Sequence, residues 1–561
     1  MYKLIQSLIV NISVVRRFQF AGIFIISSLS AFLELISIGL VIPFISLLTN
    51  ADTVITTLNN PQIYRTIEFL SLKQDNISLV ITICFVSVII LSGIFRIILL
   101  FCQVSLSQII GEELIIKIFK NLISQNYIFY TKLNNSEILS VLSKKAMDIV
   151  NTTINPIINI ASSSIVISFI LFSMIYFIPN EIITIFLILI ICYAFMSYAI
   201  KRRMNYISKV IAWNQSNIIK LIQFSLGSYS ELILYKLQWY YTTKFIHNVK
   251  NLRKAYVSFY IFNTSPKILI EVIAIVIISI VSYAYTNEGD GRYNIIPTLA
   301  AVVLAMQRLL PLCQQVFSGY NSLMFGRESL CESLKYLKLS NQQNYSTTIY
   351  QEDLKKIDFK GVWFKYENNW VIKNLNFTIV SNKTYGIIGQ SGSGKSTFIK
   401  LLIGFISPNK GEITVNSNQS INDYNLKEIV SYVPQDVYIF DDTILENILL
   451  GIDYNRENLK KVLKVSCLED LIASLPHGID TKIGNRGSQL SGGQCQRIAI
   501  ARALYRDKKI IVLDEATNGL DPITEALLMK NILKEYKCTT LLKISHKMES
   551  LSNVDEIIDM N

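Results

Sequence analysis

The sequence predicts a membrane-embedded α-helical domain of six spans, extending into the cytosol, fused to a smaller α/β domain. Three observations predict it. Six apolar runs, each long enough to cross a bilayer as a helix, precede residue 320. A polar stretch, LSNQQNYSTTIYQED at 339–353, closes that half. Beyond it, short β-rich runs alternate with glycine loops and amphipathic helices, the pattern of an α/β domain with a largely parallel core sheet. The expected organisation is a membrane domain at 1–338, a linker at 339–353 and the α/β domain at 354–561. Neither half has a second copy, so no tandem arrangement is expected.

Composition supports the membrane reading. Of 561 residues, 51% are apolar and only 17% charged, unlike an ordinary soluble chain. A net charge of +12 could belong to a nucleic-acid binder. Here, however, the basic residues flank apolar runs, as Lys201, Arg202 and Arg203 or Arg253 and Lys254 do, so no nucleic-acid partner is expected. The eight cysteines include no CxxC, which argues against zinc or a disulfide framework. The first apolar run is too long for a cleaved signal and is expected to remain as an anchor.

The spans are expected at about 18–48, 77–104, 157–178, 182–200, 255–285 and 295–318. The third and fourth carry no charge, whereas the first contains Glu34 and the second Arg96. The segment 201–254 carries ten basic residues against the single acid Glu231. The short turns after the third and fifth spans have none and one. The long loops therefore face the cytosol, with Arg16 and Arg17 holding the N-terminus there too. An even number of spans returns the α/β domain to the same side. The inside segments, about 105–153 and 201–254, read as helical continuations of the spans. The outside run 50–76 reads equally well as a short amphipathic helix or a polar loop.

The α/β half carries the chemistry. GQSGSGKST at 389–397 fits G-x-x-x-x-G-K-[ST] and follows the apolar strand YGIIG. Its glycines let successive backbone N–H groups face phosphate oxygens, and the helix after it presents its positive end. Lys395 is expected to reach the β- and γ-phosphates of a nucleotide, and Ser396 to bind Mg²⁺. In KIIVLDEA, a buried strand delivers Asp514 and Glu515 to its end. Asp514 is expected to hold Mg²⁺ through water and Glu515 to act as general base on the attacking water. A solvated acidic pair is the plain alternative.

LSGGQ at 490–494, followed by CQRIAIARAL, resembles the signature of the ABC-transporter ATPase, and the order phosphate loop, LSGGQ, Asp-Glu is far more specific than any one motif. The resemblance covers about 210 residues. It implies ATP and Mg²⁺ as ligands. It also implies that Ser491, Gly492, Gly493 and Gln494 meet the γ-phosphate of ATP held by the phosphate loop of a second copy. That loop would supply Gly389, Gln390, Ser391, Gly392, Ser393, Gly394, Lys395, Ser396 and Thr397. Tyr366 resembles the aromatic that stacks on adenine. Gln435, in YVPQD, resembles the glutamine that senses Mg²⁺ and the membrane domain. His546, in KISH, resembles the histidine that contacts the γ-phosphate. TKIGNRG at 481–487 resembles the segment that touches the partner, and NGLD at 518–521, with Asp521, the dimer-contact loop. Cys495, Lys482, Asn485 and Asn518-Gly519 depart from the common pattern but remove no catalytic group. One chain thus has every element of a competent site, and a homodimer is expected.

Charges inside spans are rare, because one at mid-bilayer costs roughly 2.5–3.5 kcal/mol or more. Arg96, Lys267 and Arg308 fall about 27, 27 and 20 Å below the outer ends at ~1.5 Å rise per residue. They could form a basic belt suited to a phosphate or pyrophosphate headgroup. Internal pairing, Lys267 with Glu271 and Glu34 with an arginine, is the competing reading. The membrane half resembles, more loosely, bacterial flippases of lipid-linked oligosaccharides. The resemblance rests on SAFLELISIGLVIPFISLL, NNSEILSVLSKKAMDIV, QRLLP and the three cations. It implies an ATP-driven exporter or flippase in the bacterial inner membrane whose substrate is a polyprenyl-pyrophosphate-linked oligosaccharide, taken from the surrounding lipid. An exporter of lipid A, peptides or drugs is the first alternative. An ATP-gated channel or regulator is another, and a soluble ATPase of DNA or ribosome work is opposed by the spans.

Overall fold

The computed structural model describes residues 1–49, 74–132, 135–177, 180–287, 292–339, 353–416, 419–420, 426–484, 489–545, 551 and 553–560. The expected linker, apart from its ends, and most of the outside run 50–76 lie outside these residues. The chain forms two compact units: Met1–Gln125 with Lys132–Gln342, and Asn126–Thr131 with Gln343–Asn561.

The first unit is helical. After α1 (Tyr2–Asn11) come six long helices among the described residues: α2 (Val14–Thr49), α3 (Gln74–Ile123), α4 (Asn155–Phe177), α5 (Asn180–Gly227), α6 (Gln238–Asn287) and α7 (Arg292–Phe325). A shorter α8 (Arg327–Leu337) follows. Among the described residues, Val14–Val41, Leu79–Ile123, Ala146–Phe172 and Gln238–Val276 are long and apolar enough to cross a membrane. The expected segments 182–200 and 295–318 fall within α5 and α7. In lipid every backbone polar group must be paired within its own segment, which is why these runs are continuous helices.

Glycine allows close approach at two crossings. A Cβ on Gly111 of α3 would lie 2.2 Å from Val150 Cγ2, and one on Gly326 would lie 2.1 Å from Thr152 Oγ1. Both neighbours belong to Val150–Ile154, a π-helical turn, the wider winding that often marks a specialised site. Nearby, Lys145 is buried and ion-paired with Glu332 of α8, so the charge does not stand alone. The helix α1 was not expected. Its Leu8 is buried, and its end is fastened by Lys117 Nζ, which donates to Asn11 Oδ1 across 2.9 Å.

The second unit combines two sheets. An antiparallel sheet has the order β2-β1-β4-β5, from β1 (Lys356–Tyr366), β2 (Asn369–Val380), β4 (Lys410–Val415) and β5 (Gln419–Ser420). A parallel sheet has the order β6-β7-β8-β3-β9, from β3 (Thr384–Ile388), β6 (Val430–Val433), β7 (Ile510–Asp514), β8 (Thr540–Ile544) and β9 (Glu556–Asp559). All five residues of β7 and of β8 are buried, as expected for parallel strands covered on both faces. Three helices position the site: α9 (Lys395–Ile403), α10 (Gly492–Tyr505) and α11 (Pro522–Glu535). Within this unit Tyr127, from the Asn126–Thr131 segment, stacks on Phe405 with centroids 5.0 Å apart.

Candidate active site

The parallel strands β3 and β7 end in the two loops that carry the site, the position where open α/β sheets bind ligands. Between β3 and α9 the chain runs through Gly389, Gly392 and Gly394 at φ of +154°, +86° and +99°. Residues with side chains rarely take such values, so the loop depends on glycine. A Cβ on Gly389 would lie 2.5 Å from Ser393 Oγ, whereas at Gly392 it would meet nothing within 4 Å. Lys395 is buried, and its ammonium donates to Gly389 O at 2.7 Å and Gln390 O at 2.9 Å. The Ser393 hydroxyl is buried without a hydrogen-bond partner among the described residues. A glycine loop that lines an open cavity with Gln390, Ser391, Gly392 and Ser393 and leads into a helix N-terminus fits a polyphosphate. Ser396 and Thr397 begin α9 directly behind it.

The strand β7 delivers Asp514 and Glu515, exposed by only 5% and 9%. The Tyr432 hydroxyl donates to Asp514 Oδ2 at 2.9 Å. Burial, and Glu515 beside it, push the Asp514 carboxyl up, against the Tyr432 hydrogen bond, which pulls it down. Glu515 sits at φ +53°, a left-handed conformation unusual for a side-chain-bearing residue. Its Oε2 accepts from Gln435 Nε2 at 2.9 Å and from Asn518 Nδ2 at 3.0 Å. The structure thus brings Gln435 to the expected base. Tyr432 and Asn518 complete the cluster. Sequence reasoning missed the first and placed the second in the expected dimer-contact loop, as a departure from the common pattern, without a bond to Glu515; the alternation of VSYV, which turns Tyr432 to one face, was the available signal.

At the N-terminus of α10 Ser491 and Gly492 are exposed. Ser491 caps the helix, its Oγ accepting from Gln494 N–H at 3.3 Å while its own N–H donates to Gln494 Oε1 at 2.8 Å. This reciprocal pair explains the serine-to-glutamine spacing of LSGGQ locally. A Cβ on Gly493 would lie 2.8 Å from Gly519 O, and Gly519 N–H donates to Gln496 Oε1 at 3.0 Å. The signature helix and the 518–521 loop are therefore packed backbone to backbone. Asp521 caps α11 through Thr524 N–H at 2.9 Å, which holds its carboxyl below the usual range. Cys495 is half-buried against the helical core, and burial pushes its thiol up. Tyr366 ends β1, 40% exposed, with its ring edge-on to Phe364. Lys482 is exposed, while His546 and 485–487 lie outside the described residues.

The family follows from comparison with known proteins. A family model for the ABC transporter transmembrane region matches residues 21–312, and one for the ABC transporter ATP-binding domain matches residues 372–518.

This chain belongs to the ABC transporter family.

A putative export ATP-binding/permease protein of Rickettsia typhi is 34% identical over 290 residues, 50% of this chain and 46% of that protein. The chain therefore spans about half the length of this relative. An ATP-dependent lipid A-core flippase of Pasteurella multocida is 28% identical over 543 residues, 93% of this chain and 90% of that one. A bacterial Atm1-family ABC exporter solved with ATP bound shares the fold, with TM-score 0.77 and 20% identity over 98% of this chain and 94% of that one.

In the membrane unit the predicted cations part company. Arg96 Nε of α3 lies 3.5 Å and Arg308 Nη1 of α7 3.8 Å from Glu34 Oε1 of α2. Glu34 is 4% exposed, and its Oε2 has no hydrogen-bond partner among the described residues. Lys267 and Glu271 of α6 are both exposed and form no ion pair with each other. One carboxylate therefore bridges two of the three expected belt residues, and the third stands apart.

Proposed function

We propose that the chain is an ATP-driven exporter or flippase that works as a homodimer in a bacterial inner membrane, with its N-terminus and ATPase unit in the cytosol. It moves a phosphate-bearing amphiphile outward. The observation that carries this reading is the meeting of Gln435, Glu515 and Asn518 at the end of β7, within the unit that holds the phosphate loop. Every hydrolytic element comes from one polypeptide, so two identical sites form when two copies meet. The exposed Ser491 and Gly492 are the surface that completes the partner's site.

In the hydrolytic step the loop 389–394 and Lys395 hold the β- and γ-phosphates of ATP. Glu515 aligns a water and takes its proton, and Gln435 and Asn518 hold the carboxylate in place. The residues fit Mg²⁺. Ser396 directly and Asp514 through water would hold the ion with hard oxygen ligands, with Gln435 nearby on Glu515. One carboxylate and one hydroxyl suit an ion that takes its other ligands from phosphate and water. When bound, Mg²⁺ neutralises charge developing on the phosphate oxygens. Tyr366 supplies an aromatic face for adenine and His546 the contact to the γ-phosphate.

The substrate reading rests on Arg96, Arg308 and Lys267. Two membrane arginines held on one carboxylate form an anion-exchange arrangement, in which a phosphate can replace Glu34 as counter-ion. A polyprenyl-pyrophosphate-linked oligosaccharide fits this chemistry and is the preferred substrate. Lipid A is the second reading, favoured by the flippase match over 93% of the chain. Reconstitution in proteoliposomes tests both. Mg-ATP should drive flipping of the lipid-linked glycan faster than that of lipid A or peptides. Movement of none of them, with ATP still hydrolysed, would sink the flippase reading.

A further inference from the structure

The central strand β8 carries a lysine where its burial calls for an apolar residue. Lys543 is 1% exposed. It pairs in register with Leu513 of β7, on the face where Ile511 and Leu541 enter an apolar core with Leu528, Met529 and Ile532 of α11. An ammonium in such a layer is strongly unfavourable unless paired, and an apolar side chain of similar length would fill the space at least as well. Stability alone therefore does not account for the charge.

Its Nζ lies 2.7 Å from Glu525 Oε1 of α11, and the same oxygen accepts from Thr517 Oγ1 at 2.8 Å. Thr517 is 3% exposed and belongs to the turn after the general base. The Leu520 N–H closes that turn on Thr517 O at 3.1 Å, and Asn518 N–H closes it on Glu515 O at 3.2 Å. From there Asn518 Nδ2 reaches Glu515 Oε2 at 3.0 Å. A continuous polar path thus runs from the buried ammonium through Glu525 and the Thr517–Asn518 turn to the Glu515 carboxylate. The left-handed φ of +53° at Glu515 leaves its side-chain direction dependent on such contacts. The same turn continues into Gly519, against which the signature helix packs.

We infer that Lys543 is a positioning residue for ATP hydrolysis: paired with Glu525, it fixes the Thr517–Asn518 turn and so aims the Glu515 carboxylate. Glu525 gains its geometry from two donors on different elements, one on β8 and one on the turn. The pair therefore sets the turn against the sheet that delivers Asp514. Lys543 and Glu525 act on hydrolysis only through Glu515.

The test uses the full chain in lipid nanodiscs with Mg-ATP. Thr517→Val cuts the path beyond Glu525 and leaves the ion pair intact; Lys543→Met removes the ammonium. Both should lower kcat about tenfold or more and leave KM for ATP within about twofold, since small misplacements of a catalytic group act on the chemical step. Lys543→Arg should recover part of the loss. Wild-type kcat in Thr517→Val, or a lowered melting temperature in Lys543→Met with unchanged kcat per folded molecule, would overturn the inference. If Lys543→Met does not fold, Thr517→Val decides alone. The inference rests on Glu515 as base, and Glu515→Gln separates the two: normal turnover there defeats the base assignment itself, whatever the other variants do.

Discussion

Gln435 Nε2 donates to Glu515 Oε2 across 2.9 Å, joining the segment after β6 to the segment after β7. Eighty residues apart in sequence, the two meet because β6 and β7 are parallel neighbours, Val433 opposite Leu513. Glu515→Gln keeps the hydrogen-bonding shape and removes the basicity. It should bind ATP as the native chain does and lose about 10²–10⁴-fold in turnover, the usual contribution of a general base. Nucleotide binding and phosphate release, measured side by side, check this; turnover near the native rate refutes it.

Asp514 is a buried carboxylate whose ionised form is less favourable in the folded protein than in the unfolded chain, as its raised pKa states. Asp514→Asn removes that penalty and retains an acceptor for Tyr432. In the absence of nucleotide at neutral pH it should melt at a higher temperature than the native chain. It should also lose Mg-dependent hydrolysis. A lower melting temperature would show that Asp514 stabilises the fold.

Gly493 and Gly519 touch backbone to backbone, with 2.8 Å between a virtual Cβ and the facing carbonyl. Gly493→Ala must push the signature helix away from the 518–521 loop. Overpacking of this kind costs about 1–3 kcal/mol. The expected result is lower thermal stability together with lost turnover, and native values of both would show that the contact is compliant.

Within the membrane unit, a Cβ on Gly111 would lie 2.2 Å from Val150 Cγ2. Gly111→Ala should destabilise by about 1–3 kcal/mol, and Gly111→Ala with Val150→Ala should recover most of it, since the second change removes the atom in the way. Thermal melting in detergent measures both; equal stability of the single and double variants would break the coupling.

Glu34 holds Arg96 and Arg308 on one oxygen. Glu34→Gln should release both and lower the half-saturating concentration of a phosphate-bearing lipid by about tenfold, the effect of roughly 1.4 kcal/mol. Arg308→Gln should reduce flipping per ATP hydrolysed. Proteoliposome assays read both ratios, and unchanged values for the two variants would leave the cluster as a purely internal ion pair.

The sequence by itself determined the membrane helices and the nucleotide machinery. Long uncharged runs have one stable form in lipid, where the backbone must satisfy itself locally. The phosphate loop, LSGGQ and Asp514-Glu515 are local in the chain, and their chemistry follows from local geometry: glycines at positive φ, a capped helix, a strand end. Tertiary structure alone decided the contacts between segments far apart. It put Tyr432 on Asp514, Asn518 on Glu515 and Lys543 under Glu525, and it gave Glu34 two arginines in place of a free basic belt. Such pairs depend on which strands and helices become neighbours. Hydrophobic burial, summed over the whole chain, sets that choice, and no single motif carries it.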